Sequence, residues 1–337
     1  MRLNSLFLVF LFASLSLSGQ RLSNRDAEAK IMDYLEQYSS DGFAMMSMLA
    51  ETPNKFNLSG TEITLSKEQS PTAWLDERTE KGIIESLNTV VHETMHGFTS
   101  RYAYVLLENN NTPDYDFGDN YSAFFLDKDL IYLVKHSEVF TSNKLKSKIP
   151  KALRTFRFNP YITPKDNNLG SQIQGIYGLM DEWNAYYHGT KTAYDLFEYY
   201  KAKADGDNKV YLEHVSNLAG TYFAYYEFKY YILKYLELAK SEYPTVYVDI
   251  ITNTSLRKAY TEIDTRFSAL LSQFEERLDT IENLVTSDNY TSVHREDGYY
   301  FIGSNGVGLF SEEAEMLKKE LNISAMMDLH QELRINN

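Results

Sequence analysis

Over residues 72–107 apolar side chains recur at the spacing of one helix face, and no other stretch constrains the fold as strongly. Ile84, Leu87, Val91, Met95, Phe98 and Tyr102 fall three or four positions apart, so on a helix they form one stripe that must meet a core. Glu85, Asn88, Thr89, His92, His96 and Ser100 form the neighbouring polar stripe, which the small Ala103 ends. Ser70-Pro71 reads as the helix start, and Gly82 is the residue of the run that favours an interruption. The two histidines thus lie beside the core face rather than within it.

On that polar flank stands His92-Glu93-Thr94-Met95-His96, the pattern H-E-x-x-H. Residues four apart on a helix are stacked, so the two imidazoles can hold one zinc ion while Glu93 projects toward whatever else binds the metal. On these residues the chain resembles the zincin metallopeptidases. A catalytic zinc needs a third protein ligand and a position left open for water. The metzincin continuation requires a glycine and a histidine where this chain has Thr99 and Tyr102, so it does not look like a metzincin. The gluzincins instead take a glutamate from a later helix, and Glu182 is the residue that fits. Its helical neighbours Gly178, Ala185 and Gly189 are small, which lets one helix approach another, and Ala185 is similar to the small residue usual three positions after the gluzincin ligand. His136 and His188 are reserve ligands. The family often has an aspartate four positions after the glutamate, where this chain has Tyr186; Asp181 or Glu85 is then the carboxylate available to orient a zinc histidine.

The resemblance implies a zinc cofactor, a peptide or protein substrate, and Glu93 as general base. Related enzymes add a tyrosine or histidine that donates to the developing oxyanion, and Tyr186, Tyr187, His188 and His214 are the residues on offer. It also implies an edge strand along the cleft, for which residues 56–67, with the alternating run Thr61-Glu62-Ile63-Thr64-Leu65, are the candidate. Two other classes stay open: a non-catalytic binding or surface protein on a zincin-like scaffold, and a zinc hydrolase acting on a non-peptide amide.

The remaining periodicity predicts a predominantly helical α+β fold with a small β-sheet. Helices are expected over residues 24–51, 176–204, 210–239, 255–285 and 311–321, a strand over 130–134, a strand or a helix connection over 247–251, and a hairpin over 298–309. Residues 109–114 and 165–175 read as loops, and the basic stretch after Pro150, with Arg154 and Arg157, has no clear assignment. Residues 19–170 are expected to form an N-terminal lobe with edge strands and the H-E-x-x-H helix, and residues 171–337 a helical C-terminal lobe carrying the third ligand.

Residues 1–18 read as a signal peptide: Met1-Arg2, an apolar run from Leu6 to Ala13, then small residues before a cut near Ser18 or Gly19. Export to a periplasmic or extracellular space is therefore expected. The chain has no cysteine, which excludes disulfides, thiol catalysis and a lipid-modified cysteine near the cut. A formal charge of −14 disfavours nucleic acid and anionic lipid as partners. The apolar runs are too short for stable membrane insertion.

Overall fold

A computed structural model describes residues 21–110, 116, 118–166, 168–205, 207–286 and 291–335. The expected signal peptide and most of the 109–114 loop lie outside these residues. Among the described residues the fold is α+β and about two-thirds helical, with three small antiparallel sheets rather than one. Among the described residues no helix is long and apolar enough to cross a membrane.

The first expected helix is two. α1 (Asn24–Tyr38) and α2 (Ser40–Ala50) break at Ser39, whose buried hydroxyl bonds Thr192 Oγ1 at 3.2 Å and Asp195 Oδ2 at 3.1 Å. A buried hydroxyl with such partners holds the break more firmly than an uninterrupted helix would satisfy it. The segment read as a single strand is a hairpin of β1 (Lys55–Leu58) and β2 (Thr61–Thr64), turned by Ser59 and Gly60 at φ 50° and 82°. Two successive positive φ values suit a two-residue hairpin turn.

The central helix α3 (Glu80–Asn109) starts later than its periodicity suggests. Pro71–Trp74 form a separate short turn, and Thr79 caps α3 by accepting from the Gly82 amide at 3.1 Å. Gly82 is thus part of the helix start, and it is glycine because a Cβ there would come within 2.4 Å of the Glu77 carbonyl oxygen. After α3 come β3 (Tyr121–Asp127) and β4 (Leu130–Lys135), paired antiparallel. β4 matches the expected strand. Two single-turn helices, α4 (Phe158–Tyr161) and α5 (Gly170–Ile173), lead to α6 (Ile176–Asp195).

The long helices expected beyond this point are subdivided. α6 is followed by α7 (Phe197–Lys203), and the next helix is split at Phe223 into α8 (Val210–Tyr222) and α9 (Ala224–Glu242). Residues 247–251 belong to a helix, α10 (Pro244–Thr252), and α11 (Thr254–Thr286) follows. The C-terminal hairpin is β6 (Tyr299–Ile302) and β7 (Asn305–Gly308), widened to three strands by β5 (Val293–Glu296), before α12 (Ser311–Leu321) and α13 (Ser324–Leu333).

α6 runs through the middle of the larger core, where fully buried Trp183 packs against Tyr225 and Tyr260 with ring centroids 5.8 and 5.4 Å away. Its other side lies on α3. A Cβ at Gly189 would sit 2.9 Å from the Asn88 carbonyl oxygen and 3.3 Å from His92 Cβ. The small residue therefore sets the separation of the two helices at the level of His92. Gly189→Ala is expected to cost about 1–3 kcal/mol by overpacking. Thermal unfolding of this variant measures the effect; an unchanged midpoint would mean the helices adjust freely.

Candidate metal centre

His92 and His96 come from consecutive turns of α3, and Glu182 comes from the facing side of α6. Their ligand atoms all lie within 4.8 Å of one another. His92 Nε2 is 3.3 Å from His96 Nε2, and Glu182 Oε2 is 3.7 and 3.6 Å from these two nitrogens. Glu182 Oε2 is buried without a hydrogen-bond partner. A carboxylate oxygen in that state is costly unless something cationic meets it. Two imidazole nitrogens and one carboxylate oxygen form a donor set that zinc takes, and three protein ligands leave a fourth tetrahedral position for water or substrate. The residues present fit that ion.

Asp181 supplies the orienting carboxylate, and Glu85 does not. Asp181 Oδ2 lies 2.7 Å from His96 Nδ1, so a proton held on Nδ1 leaves the Nε2 lone pair facing the cluster. Glu85 pairs with Lys81 at 3.4 Å and borders a separate surface groove of about 2060 Å³. Tyr186, standing where the family usually has an aspartate, packs its ring against His92 with centroids 4.3 Å apart. The Arg157 guanidinium lies 4.3 Å from the Tyr186 ring in turn, and is anchored to buried Glu227 at 2.7 Å.

The electrostatics follow from burial and these neighbours. Burial, then His96 and Arg157, hold His92 well below the usual histidine range, so its imidazole is neutral near pH 7. Burial acts downward on His96 as well, but Asp181 and Glu182 outweigh it and push it up to about 10. Burial pushes Glu182 up to about 7, with the His96 charge opposing the rise. Any metal taking these three ligand atoms would have to displace protons from the cluster. Glu93 lines the same cleft, and burial raises its carboxyl above the usual range against the pull of His96.

The cleft has a volume of about 560 Å³. Its walls include Tyr121 and Ser122 of β3, Pro160 and Tyr161 at the end of α4, and Leu169 to Ser171 leading into α5. β2 is not among the lining residues, so the strand beside the metal cluster is β3 and not the segment 56–67 expected from the resemblance. Neither a protein-family profile, nor a curated protein, nor a solved structure matches this chain.

The expected oxyanion donors separate on inspection. His188 is buried and its Nε2 lies 2.8 Å from the Phe125 carbonyl oxygen, so it ties α6 to β3 and serves neither as donor nor as reserve ligand. His214 is fully buried between Phe197 and Tyr200, away from the cleft lining. Tyr187 packs on His188 and Phe267 inside the core. His136 bonds Ser122 Oγ at 2.8 Å and stacks on Tyr177, outside the cluster. Only Tyr186 of the expected donors touches the centre, and its hydroxyl is 2.9 Å from that of Tyr161. Tyr161 itself lines the cleft and was not singled out by the sequence, where it is one of 27 tyrosines in a stretch without clear periodicity. Burial, then Glu182 and Tyr186, push Tyr161 well above the usual tyrosine range, so its hydroxyl keeps its proton.

Proposed function

We propose that this chain is an exported zinc metallopeptidase of gluzincin type, with His92, His96 and Glu182 as metal ligands. The observation that carries the reading is the convergence of a buried Glu182 oxygen, without a hydrogen-bond partner and 3.6–3.7 Å from two histidine nitrogens, on a pair whose spacing alone already suggested a metal. A bound zinc supplies Lewis acidity, which polarises a carbonyl and acidifies a water.

The chain's own groups account for the proton movements. Glu93, half-enclosed and shifted upward, accepts the proton of the attacking water and returns it to the leaving amine. Asp181 holds the proton of His96 on Nδ1 and so fixes the orientation of that imidazole. Tyr161, protonated and at the cleft wall, donates its hydroxyl to the oxygen that gains charge, while Tyr186 holds it from behind. His92, buried and packed against the Tyr186 ring, leaves little room for bulk water on that side of the reacting centre.

The full chain, purified without added metal, is expected to carry close to one zinc per molecule by elemental analysis. A chelator is expected to abolish hydrolysis of an unstructured protein such as casein, and zinc to restore it. Protein that holds no stoichiometric metal under these conditions would remove the proposal altogether.

A further inference from the structure

The stretch after Pro150 that periodicity leaves unassigned has an uneven charge. Residues 139–165 hold seven of the chain's 33 Lys and Arg and none of its 47 Asp and Glu. In a chain of net charge −14 this is a cationic segment set in an anionic surface. Part of it is spent internally. Arg157 is buried on Glu227, Lys148 pairs with Glu242 at 2.6 Å, and Arg154 donates to the carbonyls of Lys146 and Ile149. Lys144, Lys146, Lys151 and Lys165 are exposed, and no ion pair holds them among the described residues. Arg154, bonded to two carbonyls and lying 4.8 Å over the Phe158 ring, has no carboxylate partner either among the described residues.

Two further features give this charge a direction. The segment continues without a break into Pro160 and Tyr161, which line the cleft, and the turn Ser142–Ser147 packs against α5, whose Gly170 and Ser171 line it too. Along the same path Phe156 is 72% exposed, Ile173 53% and Leu169 41%. Of these three, Leu169 lines the cleft itself, and Phe156, beside Arg157 at 5.4 Å, is exposed apolar surface in the cationic segment, suited to an apolar side chain next to acidic ones.

We propose that the metal cleft takes polypeptide substrates carrying an acidic segment, which lies along Lys144, Lys146 and Lys151 while the cut bond sits at the metal. Lys151, the strip residue nearest the cleft in sequence, is nine positions from Pro160, a span of at most about 30 Å, which starts the acidic segment within about nine extended residues of the cleft wall. A peptide is favoured over a bilayer or a duplex by the size of the patch. Attraction between exposed charges fades over about 8 Å in physiological salt. A short acidic segment can follow the exposed lysines, whereas an extended anionic surface also meets the acidic remainder of the protein, including the glutamates of α12, on which Lys151–Leu153 pack. The inference rests on the peptidase reading for the cleavage step, and on the charge distribution for binding.

The test separates the two. Two labelled peptides of about 20 residues, identical except for four glutamates in one and four glutamines in the other, are titrated by fluorescence anisotropy into the full chain carrying Glu93→Gln. The acidic peptide is expected to bind about tenfold tighter at about 50 mM salt, and within about twofold of its neutral twin at about 500 mM. Adding Lys144→Glu, Lys146→Glu and Lys151→Glu is expected to abolish the preference with an unchanged circular dichroism spectrum. Cleavage of both peptides is followed in parallel with the chain in which Glu93 and the three lysines are unchanged. Equal binding of both peptides, or a preference that survives the triple charge reversal, overturns the proposal, even if both peptides are cleaved. A preference that holds while neither peptide is cleaved supports the acidic-ligand surface and removes the peptidase reading instead. Charge-dependent binding to phosphatidylglycerol vesicles without any peptide preference overturns the choice of partner.

Discussion

Replacing Glu182 by glutamine is expected to lower zinc affinity by more than about 100-fold, since even residues that only orient a ligand cost 10–100-fold when lost. In the same variant the metal-free protein is expected to become more stable above pH 7. The two effects share one cause. The Glu182 carboxyl is buried and has an oxygen with no hydrogen-bond partner, which pushes it up to about 7 from an ordinary 4.5. A carboxyl raised by folding holds its proton better folded than unfolded. Its ionisation therefore costs nothing at low pH, begins to cost as pH rises past the ordinary value, and costs the full amount above the folded one. Glutamine has no charge to bury, so the variant's advantage should grow between pH 4.5 and 7 and stay level beyond, by an upper bound on the order of 3 kcal/mol. Loss of the attraction to His96 reduces that figure, while Asp181 keeps its own bond to the imidazole at 2.7 Å. Urea unfolding at pH 5 and pH 8 in the presence of a chelator reads the stability change. Competition with a coloured zinc chelator reads the affinity. A Glu182→Gln protein that binds zinc as the parent does would show that the third ligand lies elsewhere.

The liability of Glu182 in the metal-free protein also explains why it was readable in the sequence. Its position depends on two helices meeting closely, and close approach leaves a mark: Ala185 is fully buried, and Gly189 has room for no side chain against Asn88. The H-E-x-x-H pair was legible for a similar reason, because helical spacing converts directly into geometry. What escaped were features set by tertiary burial. β3 is buried along nearly its whole length, so it shows no alternation and gives no period-two signal, yet its first residues line the cleft. The breaks at Ser39, Leu196 and Phe223 divide runs whose apolar spacing continues across them, and only the partners in space reveal the break. Tyr161 lies on a single turn too short for periodicity, and its role follows from Tyr186, 25 positions away, touching it. The edge-strand expectation failed because strand character at Thr61–Thr64 says nothing about which strand reaches the metal cluster.

Glu93→Gln is expected to lower turnover by about 10²–10⁴, the usual contribution of a general base, while leaving zinc content and folding stability near those of the parent. Glutamine matches the shape of the side chain but accepts no proton from water at neutral pH. Because Glu93 is not one of the three converging ligand groups, its loss should not release the metal. The direction of its shift adds a second observable. Burial raises the Glu93 carboxyl, and the base works only when ionised, so activity in the parent should fall on the acid side at a pH above the ordinary glutamate range. That acid limb should disappear from whatever residual rate the glutamine variant shows. Measured together, kcat/KM across pH and metal content distinguish three situations. Loss of rate with zinc retained supports the base assignment; loss of zinc would mean Glu93 holds the cluster together rather than moving protons. A chain that binds zinc and peptide equally well with either residue, and cleaves with neither, is a binding protein on the same scaffold. Since the Glu93 carboxyl is the only group of the H-E-x-x-H pattern that a metal-holding site does not need, its substitution is the change that tells catalysis from mere coordination.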